Sequence, residues 1–126
     1  MNVAYVDTSF LVCTKLKQPG FAAAIRKLRS FDELFSANLL EAEIRSVIAR
    51  EQILTGADLL KGVRWIIPNR TLGGEIEKVL SAGYVRGADC WHLAAALYLA
   101  NEVGSISFLT LDERQRVVAR ALGFRE

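Results

Sequence analysis

Histidine is nearly missing from this chain of 126 residues: His92 is the only one. A mechanism that divides acid and base work between two histidines is therefore excluded. Cysteine is equally scarce. Cys13 and Cys90 sit in apolar, helix-like surroundings without metal-ligand spacing, so two buried free thiols in a reducing compartment are expected. Charge of one sign is not in excess. Sixteen basic and 14 acidic residues leave a net +2, too little to announce nucleic acid by itself, so any such claim must rest on a site. No long apolar run is present. The longest, LAAALYLA at 93–100, is far short of the ~18 residues of a membrane span. The first residues lead straight into an apolar strand with no signal-peptide pattern, which makes a cytoplasmic protein the expectation. Internal repeats, low-complexity tracts and linkers are absent too.

What is present is enough apolar material for a core. Hydrophobic residues make up 52%, which excludes a disordered chain, and the length suits one domain across 1–126. Apolar patterning predicts strands at 2–6, 34–37, about 65–67 and 107–110. Helices are predicted at 8–16, 20–29, 38–52, 75–82, 88–100 and 112–122. One more is predicted to start at Thr55, with Asp58 three residues on. Strands alternating with helices imply an α/β fold with a mainly parallel sheet.

The first strand ends on a bare carboxylate, Asp7. In an open α/β sheet, ligands sit beyond the carboxyl ends of the strands. Asp7 and Asp112 both fall there, after strands 2–6 and 107–110. Asp89 opens the apolar helix 88–100. Glu43 lies on the helical face that carries Leu39, Leu40 and Val47, an unusual place for an acid unless something there favours negative charge. Each acid also has a plainer reading. Asp112 heads a D-E-R-Q capping box, Asp7 caps the helix opening with Thr8, Asp89 complements a helix dipole, and Glu43 is solvated.

Four carboxylates in one pocket repel and raise one another's pKa, and a hard divalent cation removes that problem. Mg²⁺ or Mn²⁺ favours oxygen ligands and can activate water for phosphodiester hydrolysis. Thr8, Ser9 and Thr110 are placed to orient a carboxylate from behind. His92, three residues after Asp89, shares its side of the helix and either hydrogen-bonds the site or is an ordinary packed histidine. Arg45, Arg50, Arg86, Arg114 and Arg116 flank these motifs as possible phosphate contacts. Trp65 and Trp91 read as packing residues.

YVDTSFLV, LLEAEIRSVIAR, GADCWHLAAAL and FLTLDERQRVVARALGF, in this order and spacing, resemble the PIN domain, and most closely the toxin subunit of VapBC-type toxin–antitoxin pairs. The resemblance covers nearly the whole chain and is weakest over 53–83. It implies a three-layer α/β/α sandwich and a metal-dependent ribonuclease. It matches Asp7, Glu43, Asp89 and Asp112 to the family's acids, with Glu41 a rival to Glu43, and Thr8 and Thr110 to the hydroxyls beside them. It also implies an antitoxin that blocks the site and a homodimer. Two other readings stand beside it. One is a receiver-type phosphoacceptor module, which needs an acidic pair after the first strand and an aspartate after a central one. The other is a non-catalytic binding domain whose acids are caps.

Overall fold

The apolar runs rich in valine, isoleucine and aromatic residues become strands, and the stretches between them become helices. The computed structural model describes residues 1–56 and 58–126. Within them β1 (Val3–Val6), β2 (Glu33–Ala37), β3 (Val63–Ile66) and β4 (Ile106–Leu109) form a sheet in the order β3-β2-β1-β4. All three pairings are parallel. Parallel neighbours require crossovers, and helices provide them. From β1 the chain reaches β2 through α1 (Thr8–Lys15) and α2 (Phe21–Arg29), and α3 (Leu39–Glu51) follows β2. Between β3 and β4 lie α4 (Gly73–Ala82) and α5 (Gly87–Leu99), and α6 (Glu113–Leu122) follows β4.

Alternation along β1 sorts the core into two layers. Ala4 and Val6 pack with Phe10, Leu11, Leu40 and Ile44 from α1 and α3. Tyr5 points the other way, into a cluster with Val79, Leu93, Ala96 and Val118 from α4, α5 and α6. Helices thus cover both faces, and the fold is a three-layer α/β/α sandwich. Each large apolar side chain taken from water contributes roughly 1.5–3 kcal/mol. The centre of α5, Leu93–Ala96, is fully buried, and its small alanines let the helix lie close against the sheet. Trp65 and Trp91 are half-buried and pack against the two clusters. Both cysteines are buried free thiols.

Strand and helix limits agree with the sequence reading to within two residues, with one exception. Thr55 does not start a helix. Residues 53–56 have no regular structure and 58–62 are turns, with Lys61 N–H donating to the Asp58 carbonyl at 3.0 Å (Ala57 lies outside the described residues). Gly62 takes a left-handed φ of +88° immediately before β3. That leaves too few residues after Gly56 to pay the cost of a helix nucleus. Leu59 and Leu60, which suggested a buried helical stripe, instead pack on the α1–α3 side from the turn.

The topology also fixes where a ligand belongs. β1 connects outward to β2 on one side while β4 flanks it on the other. The crevice at such a reversal opens at the carboxyl ends of β1 and β4. Asp7 and Thr110 directly follow those ends, and the Asp7 N–H continues the ladder to the Leu109 carbonyl at 2.9 Å.

Candidate active site

Asp7 is 4% exposed, and a buried carboxylate needs partners. It has four. Oδ2 accepts from the Ser9 amide at 3.2 Å and the Ser9 hydroxyl at 2.7 Å, and lies 3.2 Å from the Thr110 hydroxyl, whose single proton it shares with the nearer Gln115 Oε1. Oδ1 accepts from Gln115 Nε2 at 3.3 Å. The amide bond makes Asp7 the N-cap of α1, as the plainer reading expected. The hydroxyl and amide side chains add fixed donors from two other parts of the chain.

Glu43 reaches the same region from α3. Its Oε1 accepts from the Thr8 hydroxyl at 2.8 Å and lies 2.6 Å from His92 Nε2. That nitrogen is also 3.2 Å from Thr8 Oγ1 and 3.7 Å from Asp7 Oδ1. The other ring nitrogen, Nδ1, is 2.6 Å from the Tyr5 hydroxyl, which accepts from the Ala37 amide at 3.0 Å. With that amide as its donor, Tyr5 directs its own proton to Nδ1, so Nε2 carries the N–H that faces Glu43. His92 is fully buried with both nitrogens engaged, beyond the packed histidine with one satisfied nitrogen. Burial alone would raise the Glu43 pKa, but the hydrogen bonds from His92 and Thr8 outweigh it and hold the carboxyl below its ordinary value. Glu41, the rival, points elsewhere and pairs with Arg45 at 2.7 Å on the surface.

Asp89 is half-buried in the first turn of α5. Its pKa is raised, first by burial and then by the charges of Asp7 and Asp112, with Glu43 adding to them. Asp112 is exposed and caps α6, Oδ1 accepting from the Gln115 amide at 2.8 Å. Asp89 and Asp112 line one cavity of about 270 Å³ with Arg86 and Arg114. Asp89 is thus the acid on which the charges of the other three bear. Among the described residues, however, no group of three or more His, Cys, Asp or Glu side chains is placed to hold a metal ion.

Two residues of this network were not singled out from sequence. Gln115 is fully buried. Its Oε1 accepts from the Thr110 hydroxyl at 2.6 Å, and its Nε2 reaches Asp7 and, at 3.3 Å, the Asp89 carbonyl. A full capping box would turn this glutamine back to the Asp112 amide. Here Thr110 Oγ1 takes that amide at 3.1 Å, and the glutamine turns inward. The D-E-R-Q motif was thus the available signal, read for half of its content. Tyr5 is the other, and nothing in the run VAYV marks it as more than a core residue.

The receiver-type alternative finds no support. Thr8 follows Asp7, and β2 and β3 end at Ala37-Asn38 and Ile66-Ile67, without an aspartate. No curated protein and no solved structure matches the chain. A family model does: that of the PIN domain, over residues 4–121. With acids gathered at the switch point of a parallel α/β/α sandwich and a match along nearly its whole length, the chain belongs to the PIN domain family, a family of nucleases.

Proposed function

We infer that this protein is a metal-dependent endoribonuclease in which Asp7, Glu43, Asp89 and Asp112 hold Mg²⁺ or Mn²⁺. The observation that carries the reading is the convergence of the acids: Asp7 Oδ1 and Glu43 Oε1 lie 3.7 and 2.6 Å from the same nitrogen of His92, and Asp89 and Asp112 line one cavity. An all-oxygen, partly desolvated acid cluster of this kind suits a hard divalent cation. Such an ion supplies Lewis-acid chemistry, lowering the pKa of water and stabilising charge on a phosphodiester. The chain's own residues prepare the cluster. Ser9, Thr110 and Gln115 fix Asp7, and Thr8 and His92 fix Glu43. Fixed ligands lose little freedom when an ion or substrate arrives.

The biological role that fits best is the toxin of a VapBC-type pair in the cytoplasm, restrained by a cognate antitoxin and assembled as a homodimer. An apolar groove of about 510 Å³ between α4 and α5, lined by Ile76, Leu80, Tyr84, Val85 and Trp91, offers a place for a protein partner. No described helix is long and apolar enough to cross a membrane.

The competing reading, acids as helix caps only, is favoured by the Ser9 and Gln115 amides, which donate to the Asp7 and Asp112 carboxylates at the N-termini of α1 and α6. Mn²⁺ separates the two. Calorimetry is expected to register ion uptake, and the melting temperature to rise, by the equivalent of about 2.7 kcal/mol at a hundredfold excess over Kd. Asp7→Asn is expected to abolish both effects and the cleavage of labelled RNA while keeping the fold. A melting curve unmoved by millimolar Mn²⁺ leaves only the caps.

A further inference from the structure

Five arginines border the motifs, and their partners divide them. Arg45 is paired with Glu41, Arg50 with Glu51, and Arg116 with Glu113 and the Thr110 carbonyl. Arg86 and Arg114 form no ion pair among the described residues. Both are exposed, and both line the 270 Å³ cavity that contains Asp89 and Asp112. Neither guanidinium is within ion-pair distance of a described carboxylate, which leaves its donors open to a phosphate. They stand beside the carboxylates with unspent charge.

The fold places them in step with the acids. Arg86 precedes α5 by one residue and Asp89 by three; Arg114 lies in the first turn of α6, two residues after Asp112. Arg114 is further steadied by Tyr84, whose ring centroid lies 5.8 Å from its guanidinium carbon. A cation–π contact orients a guanidinium without neutralising it.

Resting on the nuclease reading above, we propose that Arg86 and Arg114 form a two-point phosphate clamp that seats an RNA strand beside the acid cluster. A phosphodiester backbone carries one negative charge per nucleotide, and a planar guanidinium can hold two phosphate oxygens at once. A strand gripped on this side lies across Asp89 and Asp112. Its approach to four acids is otherwise electrostatically opposed. Both arginines are thus positioning residues for substrate, and the paired arginines are ordinary surface charges.

The test is binding of a fluorescein-labelled single-stranded oligouridine, with Ca²⁺ replacing Mg²⁺ so that binding is read without turnover. Arg86→Gln and Arg114→Gln are each expected to weaken binding roughly tenfold. Each is expected to reduce the slope of log affinity against log salt by about 0.7, the share of one phosphate on a single strand. The double variant is expected to lose about 1.4. Arg50→Gln, the paired control, is expected to leave the slope unchanged. All variants are expected to melt with the wild type, since these side chains are exposed. Wild-type affinity and slope in both single variants, with RNA still bound and cleaved by the native protein, overturns the clamp alone. If the native protein neither binds nor cleaves RNA, the clamp falls together with the nuclease reading.

Discussion

Nε2 of His92 lies 2.6 Å from Oε1 of Glu43. The contact joins α5 to α3 across 49 residues of sequence, and behind it Tyr5 holds the opposite side of the same ring. A buried polar chain of this kind is stabilising only while every member is satisfied.

Removing one member is therefore expected to cost more than one average hydrogen bond. Tyr5→Phe strands the Ala37 amide and His92 Nδ1, and the expected loss is about 1–3 kcal/mol. His92→Leu strands Tyr5 and one bond to Glu43, with a loss in the same range. Urea unfolding of both single variants and the double variant is expected to give a coupling of about 0.5–3 kcal/mol. Additive losses would show that the chain does not act as a unit.

The two helical glutamates are expected to behave oppositely. Glu41→Gln breaks an exposed i,i+4 pair, so stability is expected to change by less than about 0.5 kcal/mol and cleavage to persist. Glu43→Gln is expected to abolish cleavage of labelled RNA. Loss of activity in the Glu41 variant would move the helical acid to that position.

The pH dependence of stability has two opposed contributions. Asp89 has a raised pKa, so its folded form binds a proton more tightly than the unfolded chain. Its contribution is fully present below the ordinary 3.8 and is lost as pH rises through the folded value. Glu43 is lowered, so its contribution is present above the ordinary 4.5 and lost as pH falls through the folded value. Asp89→Asn is expected to raise the neutral-pH melting temperature of the metal-free protein and to abolish cleavage. Glu43→Gln is expected to lower that temperature. A lower melting temperature for Asp89→Asn in EDTA contradicts the crowding of charge at this acid.

Gln115 is expected to tolerate neither an apolar nor an acidic replacement. Gln115→Leu leaves Asp7 Oδ1 short of its donor and the Thr110 hydroxyl with only its longer bond to Asp7, for about 1–3 kcal/mol. Gln115→Glu substitutes a charge for the donor that faces Asp7 and is expected to be worse at neutral pH. Denaturant midpoints for the two variants check the order.

Asp7 was legible because a polar residue closing an apolar run has few reasons to be there, and Asp112 because it follows the strand at 107–110 by two residues. α5 was legible from its unbroken apolar sequence, and Glu43 from an acid placed among leucines. The turn at 58–62 was not, because Leu59 and Leu60 carry the same apolar signal in a turn as in a helix. Tyr5 and Gln115 meet partners up to 108 residues away. No local pattern encodes such meetings. The Asp112 cap was legible as a cap, yet the inward turn of Gln115 depends on Thr110 occupying the amide it would otherwise have bonded.

The bond from the Ala37 amide to Tyr5 has a consequence beyond the site. Ala37 ends β2, and α3, with Glu43, begins two residues later. The route from that amide through Tyr5 and His92 to Glu43 returns to α3, so the polypeptide closes a ring through space around Asn38. The joint between strand and helix is clamped from both sides. Deuterium uptake at the single amide of Ala37 would then report, from inside the core, whether the Glu43 carboxylate is held or released.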